Sequence, residues 1–375
     1  MNRKNINDII KLALPVSSAI IGAPRRAAKM VEYMKENTSG ATIEYSKLEK
    51  EQINSPELPS FFKSHEVVFQ QEGFIAELND ARVWGSNGAV VAAGDYFISD
   101  VSREFNKGLG IEHSIYYTIK QVKARRLRGR AAVIGTAGST VYYHWMMDIL
   151  PRLAMVSKMT SLDKVDFFIT GFTQLPFQTE TLSRLAIPLH KIIASNANWN
   201  SHVKADSLLV PSLAGPLDQP QATQVYFLRT LFKDCISTQP PFRRLYISRK
   251  KIGRRAIVNE NELTAILSKH HFQVVDCEEL SVAEQAVLFS EAAIILGSHG
   301  SAFTNLVFCT AATIVVDIFN PSHVNACFWF ISQINQLEYY YLLGEAKPID
   351  DNPKNDQTIV DLDELNRLLK KTGLH

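Results

Sequence analysis

Ala293-Ile-Ile-Leu-Gly-Ser-His-Gly-Ser-Ala-Phe-Thr-Asn305 begins with four apolar residues, turns at two glycines and continues as a helical pattern from about Ser301. A short apolar run, a tight turn and a helix form the unit from which parallel, doubly wound sheets are built. The same alternation surrounds this stretch. Leu245-Tyr-Ile-Ser248, Gln273-Val-Val-Asp276, Thr313-Ile-Val-Val-Asp-Ile318 and Tyr339-Tyr-Tyr-Leu-Leu343 read as further strands with helices between them. Asn259 and Ser281 are placed as helix caps by Glu262 and Glu284, three residues on. Right-handed crossovers then imply one parallel sheet.

Upstream, Ala131-Ala-Val-Ile-Gly135, Asp166-Phe-Phe-Ile-Thr170, Ile192-Ile193 and Ser207-Leu-Leu-Val210 read as strands of a second such region. Its helices are expected from Val141 to about Met159, over Thr179 to Leu185, and from about Ala222 to Ile236. Before it, the alternating run Ile75 to Trp84, then Ala89 to Ala93 and Tyr96 to Ser99, turn at Gly85–Gly88 and Gly94-Asp95, the pattern of a small antiparallel meander. Ser237-Thr-Gln-Pro-Pro241 is polar and proline-rich and reads as a linker. Near the end, Leu362, Leu365, Leu368 and Leu369 form one stripe of a helix that Asp361 begins. The expected fold is therefore α/β, with two Rossmann-like domains facing a cleft. Residues 1–240 would hold the meander (about 75–100) and an α/β part (about 131–236). Residues 241–345 would form the second domain, and 346–375 a tail whose helix crosses back.

Composition agrees with two packed domains: 375 residues, 46% hydrophobic and 21% charged. A net charge of +2 gives no general attraction to nucleic acid. Lys120 to Arg130 holds six basic residues in eleven without a stacking motif, and reads as a solvated face or a contact with an anionic membrane surface. Cys235, Cys277, Cys309 and Cys327 show neither C-x-x-C nor zinc-ligand spacing, the pattern of free thiols in a reducing compartment. Ile9 to Ala23 is interrupted by Lys11 and Pro15, which argues against a secretory signal, and no stretch reaches the ~18–20 apolar residues of a membrane span. The expected location is the cytoplasm, with peripheral contact to the inner membrane face.

Three segments carry chemistry. Arg243-Arg-Leu-Tyr-Ile-Ser-Arg-Lys-Lys-Ile-Gly-Arg-Arg255 places five basic residues just past a strand's carboxyl end, where open α/β sheets bind ligands. Guanidinium forks match phosphate oxygens there, although a solvated loop is the blander reading. The Gly297–Asn305 turn brings backbone and a helix N-terminus to an anion. It matches neither G-x-G-x-x-G nor a Walker A loop, and His299 reads either as a ligand contact or as a packing residue. In Tyr142-Tyr-His-Trp-Met-Met-Asp-Ile-Leu-Pro-Arg-Leu153, His144, Asp148 and Arg152 share one helical face. That face could take a proton from a hydroxyl, or could hold an internal Asp148–Arg152 ion pair. Two ligands without a third make a poor metal site.

Taken in order, these segments resemble glycosyltransferase family 61. The matching stretches are Tyr143 to Arg152, Tyr246-Ile-Ser-Arg249 with Arg254-Arg255, Asn259-Glu-Asn-Glu262, Leu280 to Gln285 with Leu288 to Glu291, and Gly297 to Gly300 with Thr304-Asn305. They cover roughly Ala76 to Phe319. Ser298 stands where proline is frequent and Asp317 where glutamate is usual. The resemblance implies a GT-B architecture, inversion at the anomeric carbon, no obligatory metal and no other cofactor. Bacterial members accompany capsule and exopolysaccharide synthesis. Its implied partners are a nucleotide-sugar donor, expected to be UDP-linked, and a glycan or lipid-linked glycan acceptor, with no nucleic acid. The expected donor-binding residues are Ser248, Arg249, Arg254, Arg255, Asn259, Gly297, His299, Gly300, Thr304 and Asn305. Asp148 is the first choice for the catalytic base and His144 the second. The only Asp-x-Asp triplet, Asp361-Leu-Asp363, sits at a helix cap, which favours cationic side chains as stabilisers of the leaving group. An epimerase or hydrolase would share the donor site, and a binding subunit would keep the arginines without turnover.

Overall fold

The computed structural model of the chain describes residues 24–37, 41–46, 58–62, 73–105, 112–117, 123–195 and 201–373. The apolar run Ile9 to Ala23 and residues 120–122 of the basic stretch lie outside them. The chain divides into two compact units: Met1–Lys50 with Gln71–Gly215, and Glu51–Gln70 with Pro216–His375.

The first unit is built on one mixed sheet of ten strands. In chain order they are β1 (Arg26–Ala28), β2 (Ala41–Ser46), β3 (Gly73–Asn79), β4 (Arg82–Trp84), β5 (Ala89–Ala92), β6 (Tyr96–Ile98), β7 (Arg125–Val133), β8 (Phe167–Thr170), β9 (Ile192–Ala194) and β10 (His202–Pro211). Strands β10, β7, β8 and β9 are parallel neighbours. The alternating run Ile75 to Trp84 proves to be two strands. It breaks at Asp80, which adopts a left-handed backbone (φ 61°) that aspartate tolerates better than most residues. Both halves then pair antiparallel with β10: Arg82–Trp84 with its start, and Ile75–Asn79 with its end. The meander is thus fused to the α/β part through β10 and is no separate extension. Nor is this unit a second all-parallel Rossmann-like sheet. Val83, Val90, Ile98, Leu127, Val133 and Leu208 are buried in its core.

The helix after β7 changes pitch. It starts as Tyr142–His144, widens to a π-helical Trp145–Ile149 and continues as Leu150–Met159. Leu150 N–H donates to Trp145 O, five residues back. Pro151 explains this, since proline has no N–H and its ring would strike the carbonyl four residues earlier in a regular α-helix. Arg152 follows, fully buried. It does not pair with Asp148. Its guanidinium donates to Ile134 O (3.1 Å), Gly135 O (2.8 Å) and Pro211 O (2.7 Å), clamping the carboxyl ends of β7 and β10. Burial, with Arg103 nearby, lowers its pKa to about 9.

The second unit contains five parallel strands, β11 (Arg243–Ile247), β12 (Gln273–Val275), β13 (Ala292–Ser298), β14 (Ile314–Phe319) and β15 (Glu338–Leu343), ordered β12-β11-β13-β14-β15. A hairpin of β16 (Glu345–Lys347) and β17 (Gln357–Ile359) follows. Winding reverses between β11 and β13, so a crevice opens at their carboxyl ends. Two expectations are corrected here. The C-terminal helix Leu362–Lys371 does not cross back: Leu365 and Leu369 join Leu263, Leu267 and Val316 in this unit's own core, which satisfies the leucine stripe. The boundary lies between Gly215 and Pro216, and not near residue 240. Helix Ala222–Leu231 therefore belongs to the second unit, where Arg229 donates to Val307 O (2.7 Å) and Cys309 O (2.8 Å). All four cysteines are free thiols. No described helix is long and apolar enough to cross a membrane.

Candidate functional site

At the β11/β13 crevice the chain leaves β11 through Ser248 and Arg249. Glu260, buried at the start of the helix Glu260–Lys269, accepts hydrogen bonds from Tyr246 Oη (2.8 Å) and Ser248 Oγ (2.7 Å). Ser248 Oγ in turn accepts from Lys250 N (3.2 Å). Ser248 therefore shapes the loop from beneath it. The loop turns through left-handed backbone at Gly253 (φ 79°) and Arg255 (φ 53°). Arg255 is held by its backbone on both sides: its N–H donates to Asn355 O (3.3 Å), and its carbonyl accepts from Ser298 Oγ (2.7 Å). A proline at position 298 could not donate that bond.

Arg249 is 5% exposed, yet its guanidinium makes a single hydrogen bond, a long one from Nη2 to Arg254 O (3.5 Å). The Nε atoms of Arg249 and Arg255 are buried without partners, and neither side chain forms an ion pair with a carboxylate among the described residues. Burial, with Arg255 and Arg254 as repelling neighbours, lowers the Arg249 pKa to about 10. Buried unpaired cations are unfavourable unless an anion joins them. Arg254 points to solvent.

Gly300 explains how Arg249 fits. Its backbone is extended, and a Cβ there would lie 1.7 Å from Arg249 Nη1 and 2.6 Å from Cζ. The guanidinium rests on the bare Cα. Gly300→Ala is therefore expected to push Arg249 out of place and weaken the crevice's hold on a phosphate-bearing anion by about tenfold or more, the worth of one charge-assisted contact. The melting temperature of the free protein should barely change. Calorimetric titration with UDP beside a thermal melt checks this; an unchanged affinity would mean that Arg249 finds an equivalent position.

His299 is 3% exposed, between Phe319 (ring centroids 4.6 Å apart) and Phe328 (4.7 Å). Its Nδ1 lies 2.9 Å from Asp317 Oδ2, the oxygen that also accepts from Tyr339 Oη (2.7 Å). His323 stands beside it, ring centroids 5.6 Å apart, and burial together with Arg255, His299, Lys354 and Arg249 pushes its pKa down to about 3. Thr304 is buried with an unpartnered hydroxyl.

Two expected donor contacts are occupied elsewhere. Asn259 does not cap its helix through its side chain; it exchanges hydrogen bonds with Val360 (2.8 and 3.0 Å). Asn305 donates to Gln285 Oε1 (2.6 Å). Gly297 is small because a Cβ would meet Ile247 O at 2.8 Å. Glu260, Asp317, His323 and Tyr339 were not singled out as site residues by sequence, because a lone acid or histidine in an apolar stretch gives no periodic signal. A cavity of about 490 Å³ in the same unit, more apolar than polar, is lined by Phe61, Phe62, Val324 and Phe330 together with Asp218, Gln219, Ser322 and Asn325.

In the first unit, His144 and Asp148 sit on the pitch-changing helix. Gly138 (φ 83°) leaves room for the imidazole, since a Cβ there would come within 2.6 Å of His144 Cδ2. His144 Nδ1 lies 2.7 Å from Asp148 Oδ2. Asp148 Oδ1 faces Arg103 Nη1 at 3.7 Å, and Arg103 Nη2 donates to Gly215 O (2.6 Å). An ionised carboxylate only accepts, so Nδ1 carries the proton and Nε2 keeps its lone pair. The imidazole is also the more exposed of the two side chains, at 15% against 6%. This pair can remove a proton, and the arginine crevice can hold an anion.

Among the described residues no three His, Cys, Asp or Glu side chains group so as to hold a metal ion. Residues 142–316 match the family model described as Glycosyltransferase 61, and no curated protein matches the chain.

Proposed function

We propose that this glycosyltransferase, whose residues 142–316 make a family 61 domain, moves a sugar from a nucleoside-diphosphate donor, UDP-linked, to a glycan hydroxyl with inversion and without an obligatory metal. Arg249 carries this reading: a buried guanidinium without an acidic partner, at the switch point of a parallel sheet. The leaving diphosphate gains negative charge as the bond to the anomeric carbon breaks, and Arg249 and Arg255 supply fixed positive charge for it. His144, oriented by Asp148, acts as the base that takes the acceptor's proton. The cavity of the second unit has the size of a ligand pocket and would take the nucleoside. The proposal includes a GT-B architecture. It also includes a role in surface polysaccharide synthesis in the cytoplasm, on a glycan or lipid-linked glycan acceptor. The exposed Lys123, Arg125 and Arg128 favour contact with an anionic inner membrane face.

A thermal-shift screen of nucleotide sugars with and without EDTA tests this. UDP-sugars should raise the melting temperature equally in both conditions. A shift that EDTA abolishes would sink metal independence, and no shift with any nucleotide sugar would sink the donor assignment. Free sugar released at full rate without acceptor would make the protein a hydrolase.

A further inference from the structure

The arginine crevice contains one group that phosphate binding alone does not explain. His299 is locked from three sides: Asp317 on β14 takes its Nδ1–H, Tyr339 on β15 donates to the same carboxylate oxygen, and Phe319 and Phe328 hold the ring. Rings suffice for packing. They do not require a fully buried carboxylate, which is costly to keep ionised without a charged partner. With Nδ1 committed, His299 exchanges protons only through Nε2, and no hydrogen bond among the described residues uses that atom. The neighbouring groups are cationic or neutral. Ser298 bonds to the Arg255 carbonyl, Gly300 underlies the Arg249 guanidinium, His323 is held neutral, Lys354 acts on His323, and burial keeps the Cys327 thiol and the Tyr339 phenol protonated. Asp317 is the one carboxylate in direct contact with the imidazole.

We propose that His299 is a second catalytic residue, the acid that protonates the departing diphosphate, and that Asp317 and Tyr339 are its positioning residues. The inference rests on the nucleotide-sugar reading above. Arg249 and Arg255 place two guanidinium groups in this crevice, and Arg249 lies on Gly300, next to His299. A bound diphosphate neutralises the arginines, so donor binding draws a proton onto Nε2. When the bond between the anomeric carbon and the β-phosphate oxygen breaks, its electron pair goes to that oxygen, which receives the Nε2 proton. The acceptor oxygen bonds to the anomeric carbon and gives its proton to His144. His299 regains a proton from solvent before the next turnover.

Proton uptake gives a readout independent of activity. Calorimetric titration with UDP, with GDP and dTDP as further probes, is run at about pH 8 in two buffers of different ionisation enthalpy, where the nucleotide itself is fully ionised. The native protein should take up a large part of one proton, and His299→Gln should take up none. His299→Gln should bind UDP within about threefold of the native protein, while kcat, followed as UDP release, falls about 10²–10³-fold. Circular dichroism checks that the variant folds. Two milder variants must move the alkaline limb of the kcat profile in opposite directions. Asp317→Asn removes the counter-ion and moves it to lower pH; Tyr339→Phe removes a donor from the carboxylate, strengthens its hold on the imidazolium and moves it to higher pH. Unchanged proton uptake or unchanged kcat in His299→Gln overturns the acid role, as does a limb that neither variant moves. If the native protein binds none of the three nucleotides, the donor reading falls, and this one with it.

Discussion

Arg249→Ala is expected to abolish donor binding while leaving the free protein at least as stable as before. In most proteins the loss of a buried, well-bonded arginine is destabilising, because its partners are stranded. Arg249 strands almost nothing: among the described residues its side chain makes only the long bond to Arg254 O, and its Nε has no partner. Its removal also relieves repulsion with Arg255 and Arg254. The lost methylene packing and the relieved charge act in opposite directions, so the melting temperature should hold or rise slightly. The nucleotide loses its deepest cation. Two charge-assisted bonds at about 1.5–3 kcal/mol each correspond to about 10²–10⁴-fold in affinity. Arg249→Lys should recover only part of this, since an ammonium lacks the planar fork that grips two oxygens at once. Calorimetry with UDP measures the affinity and a melt of the free protein the stability. UDP binding within about threefold of native in Arg249→Ala would remove this residue from the donor site.

The second large effect belongs to the His144–Asp148 pair. Asp148→Asn should retain UDP affinity within about threefold and lose about 10²–10⁴-fold in kcat. An asparagine at 148 can offer its NH₂ to Nδ1. That stabilises the tautomer with the proton on Nε2, where the acceptor needs a lone pair. His144→Gln should fall by a similar factor, and the double variant little further, because the two residues act as one unit. Normal turnover in Asp148→Asn would reduce the pair to a structural contact and leave the base to be found elsewhere.

The contrast between these residues shows what sequence could and could not supply. The inner strands β11, β13 and β14 of the second unit were legible because parallel strands with neighbours on both sides are largely buried and read as continuous apolar runs. His144 and Asp148 were legible as a pair because four residues on a helix bring side chains together, even through a widened turn. Which of the two is the more exposed was not, since Asp148 is covered by Arg103, which reaches it from a different segment. Asn259 looked like a cap because Glu262 follows at the right spacing, yet its amide bonds to Val360, 101 residues later. Asp317 and Tyr339 meet only because β14 and β15 pair in register, with Val315 opposite Tyr339 and Asp317 two residues on along the same face. The leucine stripe announced a docking helix without naming its dock. Local spacing was readable; partners distant in sequence, such as Val360 for Asn259 and Tyr339 for Asp317, were not.

The bond between Arg255 N and Asn355 O, and the bridge that sets Ile257 beside Thr358, tie the basic loop to a segment made about one hundred residues later. At roughly 5–20 residues per second, a ribosome needs on the order of 5–20 s to cover that interval. During this time Ser248, Glu260 and Ser298 already exist to hold the loop from one side, but its tie to Asn355 is missing. A nascent or prematurely ended chain would therefore lack one of the two backbone contacts that hold Arg255, and the basic loop takes its final shape only with the hairpin.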